Sequence, residues 1–385
     1  MRLHILGLPH TVSNKEYSHC AYTGKITRFP EMMKSRGYTV YHYGVEGADT
    51  HADKHIDVFS KSEWDSMRLH CLREHNPDAS EDELMSESNF IGDLANVGNI
   101  LYSSFNKRLS HILQDTVHEG DVVCLPFGHG HAEAIAPLQN RQIYCVESGI
   151  GYPDSFLDYR VFESYAWYHY EIGRRNMSGQ DYWTVIPNYF DSRDWKFNND
   201  PQKFVVYFGR ITEIKGLNIV MEFAKYRPDL VIKLVGQGDA TPFLQYPNIQ
   251  YHPPIHGDER SDLLGNAQAV IMPTRYVEPF GGVTVESQLC GTPVLGASYG
   301  SFTETIVNGV TGYRCSTLGD FLAGMERIED GELDRQRVRD TAVEKYDMFN
   351  VAKQYDDYFQ QLSDIASKGW YQVRSKYGEI RRVKE

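Results

Sequence analysis

The stretch Glu278-Pro-Phe-Gly-Gly-Val-Thr-Val-Glu286 sets two carboxylates on either side of a glycine-rich turn, with seven residues between them. Immediately upstream, Ala269-Val-Ile-Met-Pro273 has the length and composition of a short buried strand ended by proline. Downstream, Val283 to Cys290 reads as a helix closed by Gly291 and Pro293. Glu278 is therefore expected on a loop at a strand's C-terminal end, with Gly281 and Gly282 opening a helix. Glu286 should follow about one turn further on. Unpaired amides at a helix N-terminus attract a phosphate or an electron-rich sugar oxygen. A carboxylate on each side can accept hydrogen bonds from hydroxyls. The pattern suits a polyhydroxylated, phosphorylated ligand. An ordinary strand–turn–helix with two solvated glutamates would read the same in isolation, so the surroundings decide.

The same strand–loop–helix grammar recurs along the chain. Residues 3–7 and 204–209 each read as a strand running into a glycine, and a helix-like segment follows each, at 26–36 and 217–226. Further strand candidates are 39–43, 122–125, 142–146, 231–235 and 293–297. Strands alternating with helices imply an α/β chain with parallel sheets, whose ligands collect at the strands' C-terminal ends. At 385 residues the chain suits two domains, and the polar, proline-marked segment 187–201 is the natural boundary. This gives an N-terminal domain at 1–190 and a C-terminal domain at 191–354. A last helix at about 355–385 is expected to pack back on the first domain. Residues 50–100 are charged and helix-prone and suggest no chemistry.

No apolar run approaches the ~18 residues that a membrane span requires. Met1-Arg-Leu-His-Ile-Leu-Gly7 turns into a glycine loop too soon for a secretory leader. The six cysteines, at 20, 71, 124, 145, 290 and 315, are scattered without metal-binding or disulfide-framework spacing. That favours reduced thiols and a cytoplasmic protein. A net charge of −13 argues against a broad nucleic-acid-binding surface. The tail from Lys368 to Lys384 is a local exception, its basic residues interleaved with Trp370, Tyr371 and Tyr377. It suits a solvated end, a helix covering the first domain, or peripheral contact with a membrane surface or nucleic acid.

Five motifs, in one order, carry a family resemblance. Val185-Ile-Pro-Asn188 with Asp191 comes first, then Gly209-Arg210 with Lys215-Gly216, then Leu234-Val-Gly236-Gln-Gly238. The paired glutamates follow, and Cys290-Gly-Thr-Pro-Val294 with Glu304 and Asn308-Gly-Val-Thr-Gly312 closes the series. Together they resemble the family-4 retaining nucleotide-sugar glycosyltransferases, over roughly residues 185–315. The resemblance implies the GT-B fold, two doubly wound Rossmann-like domains facing an interdomain cleft. It implies that Arg210 and Lys215 answer the charge of the diphosphate, one as a planar fork and the other as a mobile point charge. Glu278 would contact sugar hydroxyls, completing a catalytic set of Arg210, Lys215 and Glu278. Gly209, Gly236, Phe280, Gly281, Gly282, Val283 and Glu286 would bind the donor, with Glu286 on the ribose.

Family members transfer with retention of configuration, by front-face attack in which the leaving phosphate takes the acceptor proton. By resemblance no metal and no cofactor is needed, and a UDP- or GDP-sugar is the donor substrate. A glycosidase-like acid and nucleophile would need carboxyls about 5–5.5 Å apart, which a glycine turn plus a helical turn disfavours. Asp-x-Asp, a metal-binding pair, does not occur in the chain. Glu304 has a local explanation as well, because Ser301-Phe-Thr-Glu304 fits a capping box of its own helix.

The first half departs from the resembled pattern. After Gly7 come His10 and a polar aromatic loop, Tyr17 to Lys25, in place of a glycine-rich loop. Glu147 stands after the strand candidate 142–146, where the family has a histidine, and Tyr152 follows. His131, in His129-Gly-His131, ends the strand at Leu125. His10, Lys25, His131, Glu147 and Tyr152 are thus the acceptor-side candidates. The run Tyr165-Ala-Trp-Tyr-His-Tyr170 could stack on sugar rings, but such runs are more often helix core. The acceptor stays open among a saccharide, a lipid-linked sugar, a protein, a metabolite and a modified nucleic-acid base. Two other functions fit the scaffold: a nucleotide-sugar epimerase or hydrolase, and a non-catalytic nucleotide-sugar-binding subunit.

Overall fold

A computed structural model describes the chain except for residues 18–19, 86–93, 140, 142, 181, 369–373, 376–377 and 380–385. The first stretch runs β1 (Arg2–Leu6), α1 (Ala21–Lys34), β2 (Thr39–Val45), β3 (Lys54–Phe59), α2 (Lys61–His75), α3 (Glu81–Met85) and α4 (Ile100–Thr116). It continues through β4 (Val122–Leu125), α5 (Ala132–Ile135), β5 (Tyr144–Ile150), β6 (Tyr159–Phe162), α6 (Tyr165–Arg175) and β7 (Trp183–Val185). Next come β8 (Phe204–Phe208), α7 (Leu217–Tyr226), β9 (Val231–Val235), β10 (Ile249–His252), α8 (Gly257–Asn266), β11 (Ala269–Met272) and α9 (Gly282–Leu289). Then come β12 (Val294–Ala297), α10 (Phe302–Thr305), β13 (Gly312–Cys315), α11 (Leu318–Glu329), α12 (Arg335–Tyr346) and α13 (Met348–Lys368). The expected last helix thus ends at Lys368, and two short antiparallel strands follow it, β14 (Arg374–Ser375) and β15 (Gly378–Glu379).

The strands form two doubly wound sheets, in the orders β3-β2-β1-β4-β5-β6-β7 and β10-β9-β8-β11-β12-β13. In each, the chain starts near the middle, winds to one edge and returns to build the other side. Both sheets thus have a topological switch point, where ligands of open α/β sheets collect. The β8 residues show why the second sheet is covered on both faces. Val205 and Tyr207 enter one buried cluster with α7 residues Leu217, Val220 and Phe223. Phe204, Val206 and Phe208 enter another with Leu264 of α8 and Cys290. A side-chain period of two sends alternate residues to opposite faces, so a strand buried on both must be apolar throughout.

Two compact units result. Met1–Val161, Gly179–Ile186 and Ala352–Glu385 make up the first, and Phe162–Ser178 with Pro187–Val351 the second. The segment carrying α6 therefore groups with the second unit, although it precedes the linker that the sequence marks as a boundary. Residues of α13 brace the first unit: Asp356 pairs with Arg36 at 2.8 Å and accepts from Tyr38. Tyr358 donates to the Tyr182 carbonyl. The basic tail lies mostly outside the described residues. Among those described, no helix is long and apolar enough to cross a membrane. All six cysteines are free thiols.

Two departures from the sequence reading have clear causes. Residues 54–59 form an edge strand rather than helix, paired in parallel to β2, because a neighbouring strand supplies hydrogen bonds that local propensity cannot foresee. β5 runs on to Ile150, so Glu147 sits inside a strand instead of after it. A carboxylate ends an apolar run on paper but not in space, provided the fold supplies donors to it.

Candidate functional site

The site in the second unit grows from three loops at the C-terminal ends of β8, β9 and β11. Backbone bonds tie them together. Gly209 N donates to Val235 O at 2.9 Å, Ile211 N to Gln237 O at 2.8 Å, and Arg275 N to Ile214 O at 2.9 Å. The approach is close enough to require glycine. A Cβ on Gly216, whose φ is +83°, would stand 1.9 Å from the Pro273 carbonyl oxygen.

On the β11 loop, Phe280 is buried and packs against Phe190 and Tyr346. This pins the backbone between Glu278 and α9. Gly281 takes φ +72° at the helix N-cap, so Gly281, Gly282 and Val283 open α9 as the spacing predicts. Glu278 Oε2 accepts from Lys215 Nζ at 2.7 Å and from Tyr276 Oη at 2.7 Å, while Lys215 also donates to Tyr276 Oη. Lys215, Tyr276 and Glu278 form a closed triangle. Burial and the Glu278 carboxylate push the Tyr276 phenol upward, so it stays a neutral donor. Arg210 is exposed on the neighbouring loop, and among the described residues its guanidinium has no ion-pair partner. Its backbone is fixed through its carbonyl, which accepts from Tyr207 Oη at 2.6 Å. Gly209 and Gly236 face each other across these loops.

Glu286 is held by Arg260 of α8. Neither Arg260 nor Tyr276 stands out in the sequence. Tyr276 lies two residues before Glu278 and could have been suspected, whereas Arg260 lies in a helix without a motif. Glu304 is a cap, but of another helix. Its carboxylate accepts from Tyr165 N at 2.9 Å and Ala166 N at 2.8 Å, and Ser301 makes no side-chain cap bond. The expected capping box within α10 is therefore corrected to a cap on α6. The two amides that such a box would satisfy are already taken, since Ser301 N donates to Glu278 O at 3.2 Å and Glu304 N to Ser301 O at 2.9 Å. Ser164, the N-cap of α6, donates to the Pro279 carbonyl at 2.6 Å and so ties α6 to the Glu278 loop. Within the aromatic run of α6, Trp167 is buried while Tyr165 and Tyr170 are exposed.

In the first unit, two of the five acceptor-side candidates, His10 and Tyr152, pack on Phe127, past the end of β4, and Lys25 joins them through Tyr22. His10 Nδ1 meets Tyr102 Oη at 2.6 Å, and its ring packs against Phe127. Tyr22 and Tyr152 also pack on Phe127, and Lys25 Nζ lies over the Tyr22 ring while donating to Gly149 O at 2.9 Å. His131 Nδ1 faces Asn106 Oδ1 at 3.2 Å. Burial drives both His10 and His131 down to about 3, so both are neutral imidazoles.

Glu147 is fully buried. It accepts from the Phe156 and Leu157 amides at 2.8 Å each and from Tyr152 Oη at 3.1 Å, and it lies 3.8 Å from Arg160 Nε. It binds the 152–160 segment to β5 rather than presenting a carboxylate at a strand end. His10, Lys25, His131 and Glu147 are thus buried and partnered within the unit.

Desolvation raises the Glu147 carboxyl from 4.5 to about 7, against the opposing pull of the Leu157 and Phe156 amides and of Arg160. A carboxyl whose folded value is raised binds more protons in the folded than in the unfolded state. Its contribution is complete below pH ~4.5 and is lost as pH rises through about 7. Glu147→Gln removes this titration. Its melting temperature is expected to fall less between pH 5 and 8 than that of the wild type, by roughly 2–4 °C per kcal/mol of lost linkage. Superimposable pH profiles for the two proteins would refute the buried, protonatable carboxyl.

Residues 190–345 match the family model described as glycosyl transferases group 1. Among curated proteins, the chain is similar to N-acetyl-alpha-D-glucosaminyl L-malate synthase of Bacillus anthracis, 27% identical over 183 residues, 43% of this chain and 48% of that one. It is also similar to D-inositol 3-phosphate glycosyltransferase of Arthrobacter sp., 29% identical over 124 residues, 28% of this chain and 29% of that one. The chain thus spans half or less of the curated relatives it matches. Solved structures align over nearly the whole chain. AviGT4, a glycosyltransferase involved in avilamycin A biosynthesis, aligns with TM-score 0.65 and 16% identity, covering 94% of this chain and 98% of that one. Sucrose-phosphate synthase from Thermosynechococcus elongatus aligns with TM-score 0.64 and 13% identity, covering 96% and 100%. The fold is that of the GT-B proteins, two Rossmann-like α/β domains. Within that class, residues 190–345 match the group 1 glycosyl transferases, and the chain is similar to family-4-type glycosyltransferases.

Proposed function

We propose that the protein moves a sugar from a nucleotide diphosphate donor to an acceptor hydroxyl with retention of configuration and without a metal ion. The observation that carries this reading is the Lys215–Tyr276–Glu278 triangle beside exposed Arg210, at the mouth of α9. Breaking the bond from the sugar's anomeric carbon to the diphosphate leaves positive charge on the sugar and negative charge on the departing oxygen. Glu278 faces the first, and Arg210 with Lys215 faces the second. The ammonium of Lys215 has three donors, so it can keep Glu278 in place while turning another proton to the phosphate. In the front-face course the acceptor oxygen bonds to the anomeric carbon on the side the diphosphate leaves. The acceptor's proton passes to the departing phosphate oxygen. Preorganised cations supply the charge that a metal supplies elsewhere.

UDP- and GDP-sugars are the first donors to screen, by thermal shift and then by mass spectrometry of products in excess EDTA. Hydroxylated small metabolites, of the kind named for the curated relatives, are the first acceptors. Loss of transfer in EDTA with rescue by Mg²⁺ or Mn²⁺ would defeat the metal-free reading. Donor consumption that needs no acceptor would replace the transferase with a hydrolase or epimerase.

The two glutamates should separate by ligand. Glu286→Ala is expected to weaken the sugar-free nucleoside diphosphate and the full donor alike, by about tenfold, as loss of a charged hydrogen-bond partner implies. Glu278→Ala should weaken chiefly the full donor. Calorimetry with both ligands checks this, and an identical pattern for the two variants would overturn the division of roles.

A further inference from the structure

Arg260 belongs to none of the motifs, yet it reaches the donor site through Glu286. It sits in the first turns of α8, and its guanidinium donates to Glu286 Oε2. The same guanidinium lies over the Phe208 ring, 4.4 Å from its centroid. Phe208 ends β8, the strand that delivers Gly209 and Arg210. The pair is mostly shielded, with side-chain exposures of 16% for Arg260 and 13% for Glu286. The Nε of Arg260 is buried and has no partner among the described residues, so the Phe208 and Trp195 rings and the bond to Glu286 hold its position. The other carboxylate oxygen, Oε1, lies 3.9 Å from where a Cβ on Gly282 would stand. It is therefore turned toward the first turn of α9, where the donor is read to bind.

We propose that Arg260 is a positioning residue of the donor site: it grips one oxygen of Glu286 so that the other is presented to the ribose hydroxyls of the nucleotide. This rests on the donor-site reading of Glu286. A solvated glutamate side chain must be ordered each time it binds, which costs rotamer entropy. A partner that orders it beforehand removes that cost from binding.

The test is a double-mutant cycle read by calorimetry, with UDP, GDP and ADP as nucleoside probes and inorganic pyrophosphate as the phosphate-only probe. Arg260→Ala should weaken the tightest nucleoside diphosphate about fivefold to tenfold. Glu286→Ala should do the same, and the double variant should lose no more than the worse single one. Pyrophosphate binding should stay within twofold throughout, and Arg260→Lys should recover part of the loss. Should Arg260→Ala not fold, Arg260→Lys against Glu286→Gln provides the same cycle. Unchanged nucleoside diphosphate affinity in Arg260→Ala, or losses that multiply in the double variant, would overturn the positioning role. A parallel loss of pyrophosphate would overturn it too, by making Arg260 a phosphate ligand. A wild-type protein that binds none of the three diphosphates would instead remove the donor reading itself, and the role of Arg260 with it.

Discussion

Alanine at Lys215 or at Arg210 is expected to slow sugar transfer by about a hundredfold or more, equivalent to ~2.7–4 kcal/mol of lost transition-state stabilisation. The charge on a departing diphosphate grows as its bond to the sugar breaks, so a cation fixed beside it stabilises the transition state more than the bound donor. The loss should therefore fall on kcat as well as on kcat/KM. The two variants should differ in detail. Arg210 is exposed and without an ion-pair partner among the described residues, so its removal should leave the melting temperature nearly unchanged. Lys215 is mostly shielded and bonded to both Glu278 and Tyr276. Its removal should also loosen Glu278, with a further rise in KM for the complete donor. Steady-state kinetics on both variants checks this. Near-wild-type turnover in either would sink the phosphate-site assignment.

How much of this was legible in the sequence depended on distance along the chain. Glu278, Gly281, Gly282 and Glu286 are close neighbours whose loop-then-helix order follows from local rules, and the structure has α9 starting at Gly282. The glycines before Arg210 and after Lys215 announced tight backbone turns. What stayed hidden was long-range. Arg260 meets Glu286 from 26 residues away, and no spacing rule reaches between two helices that meet only in the folded chain. Glu304 serves amides 138 and 139 residues upstream, while the local capping pattern offered a closer client that does not use it. Glu147 looked like a strand end because the donors that satisfy it come from residues 156 and 157, in a loop with no motif. In each case a polar group found its partner through tertiary structure, which one-dimensional patterns underdetermine.

The second large effect should be on folding, at Gly236. This glycine has φ +152°, and a Cβ there would stand 1.8 Å from the Gly209 carbonyl oxygen and 2.7 Å from its carbonyl carbon. Both obstacles are backbone, so no side chain can rotate aside. Nor can either loop retreat. Gly236 N donates to His252 O, its carbonyl accepts from Tyr251 Oη, and Gly209 N is bonded to Val235 O. Gly236→Ala must break this lattice, at about 4 kcal/mol or more, the range of the most disruptive substitutions. For a unit of this size that is ~10 °C or more of melting temperature. Gly309 supplies the control. Its φ is +75°, but nothing lies within 4 Å of its added Cβ, so Gly309→Ala should cost only the ~1–2 kcal/mol of a left-handed residue. Thermal melts followed by circular dichroism compare the two. If Gly236→Ala melts within a couple of degrees of Gly309→Ala, the loops after β8 and β9 are not in contact, and the frame that holds Arg210 and Lys215 would have to be redrawn.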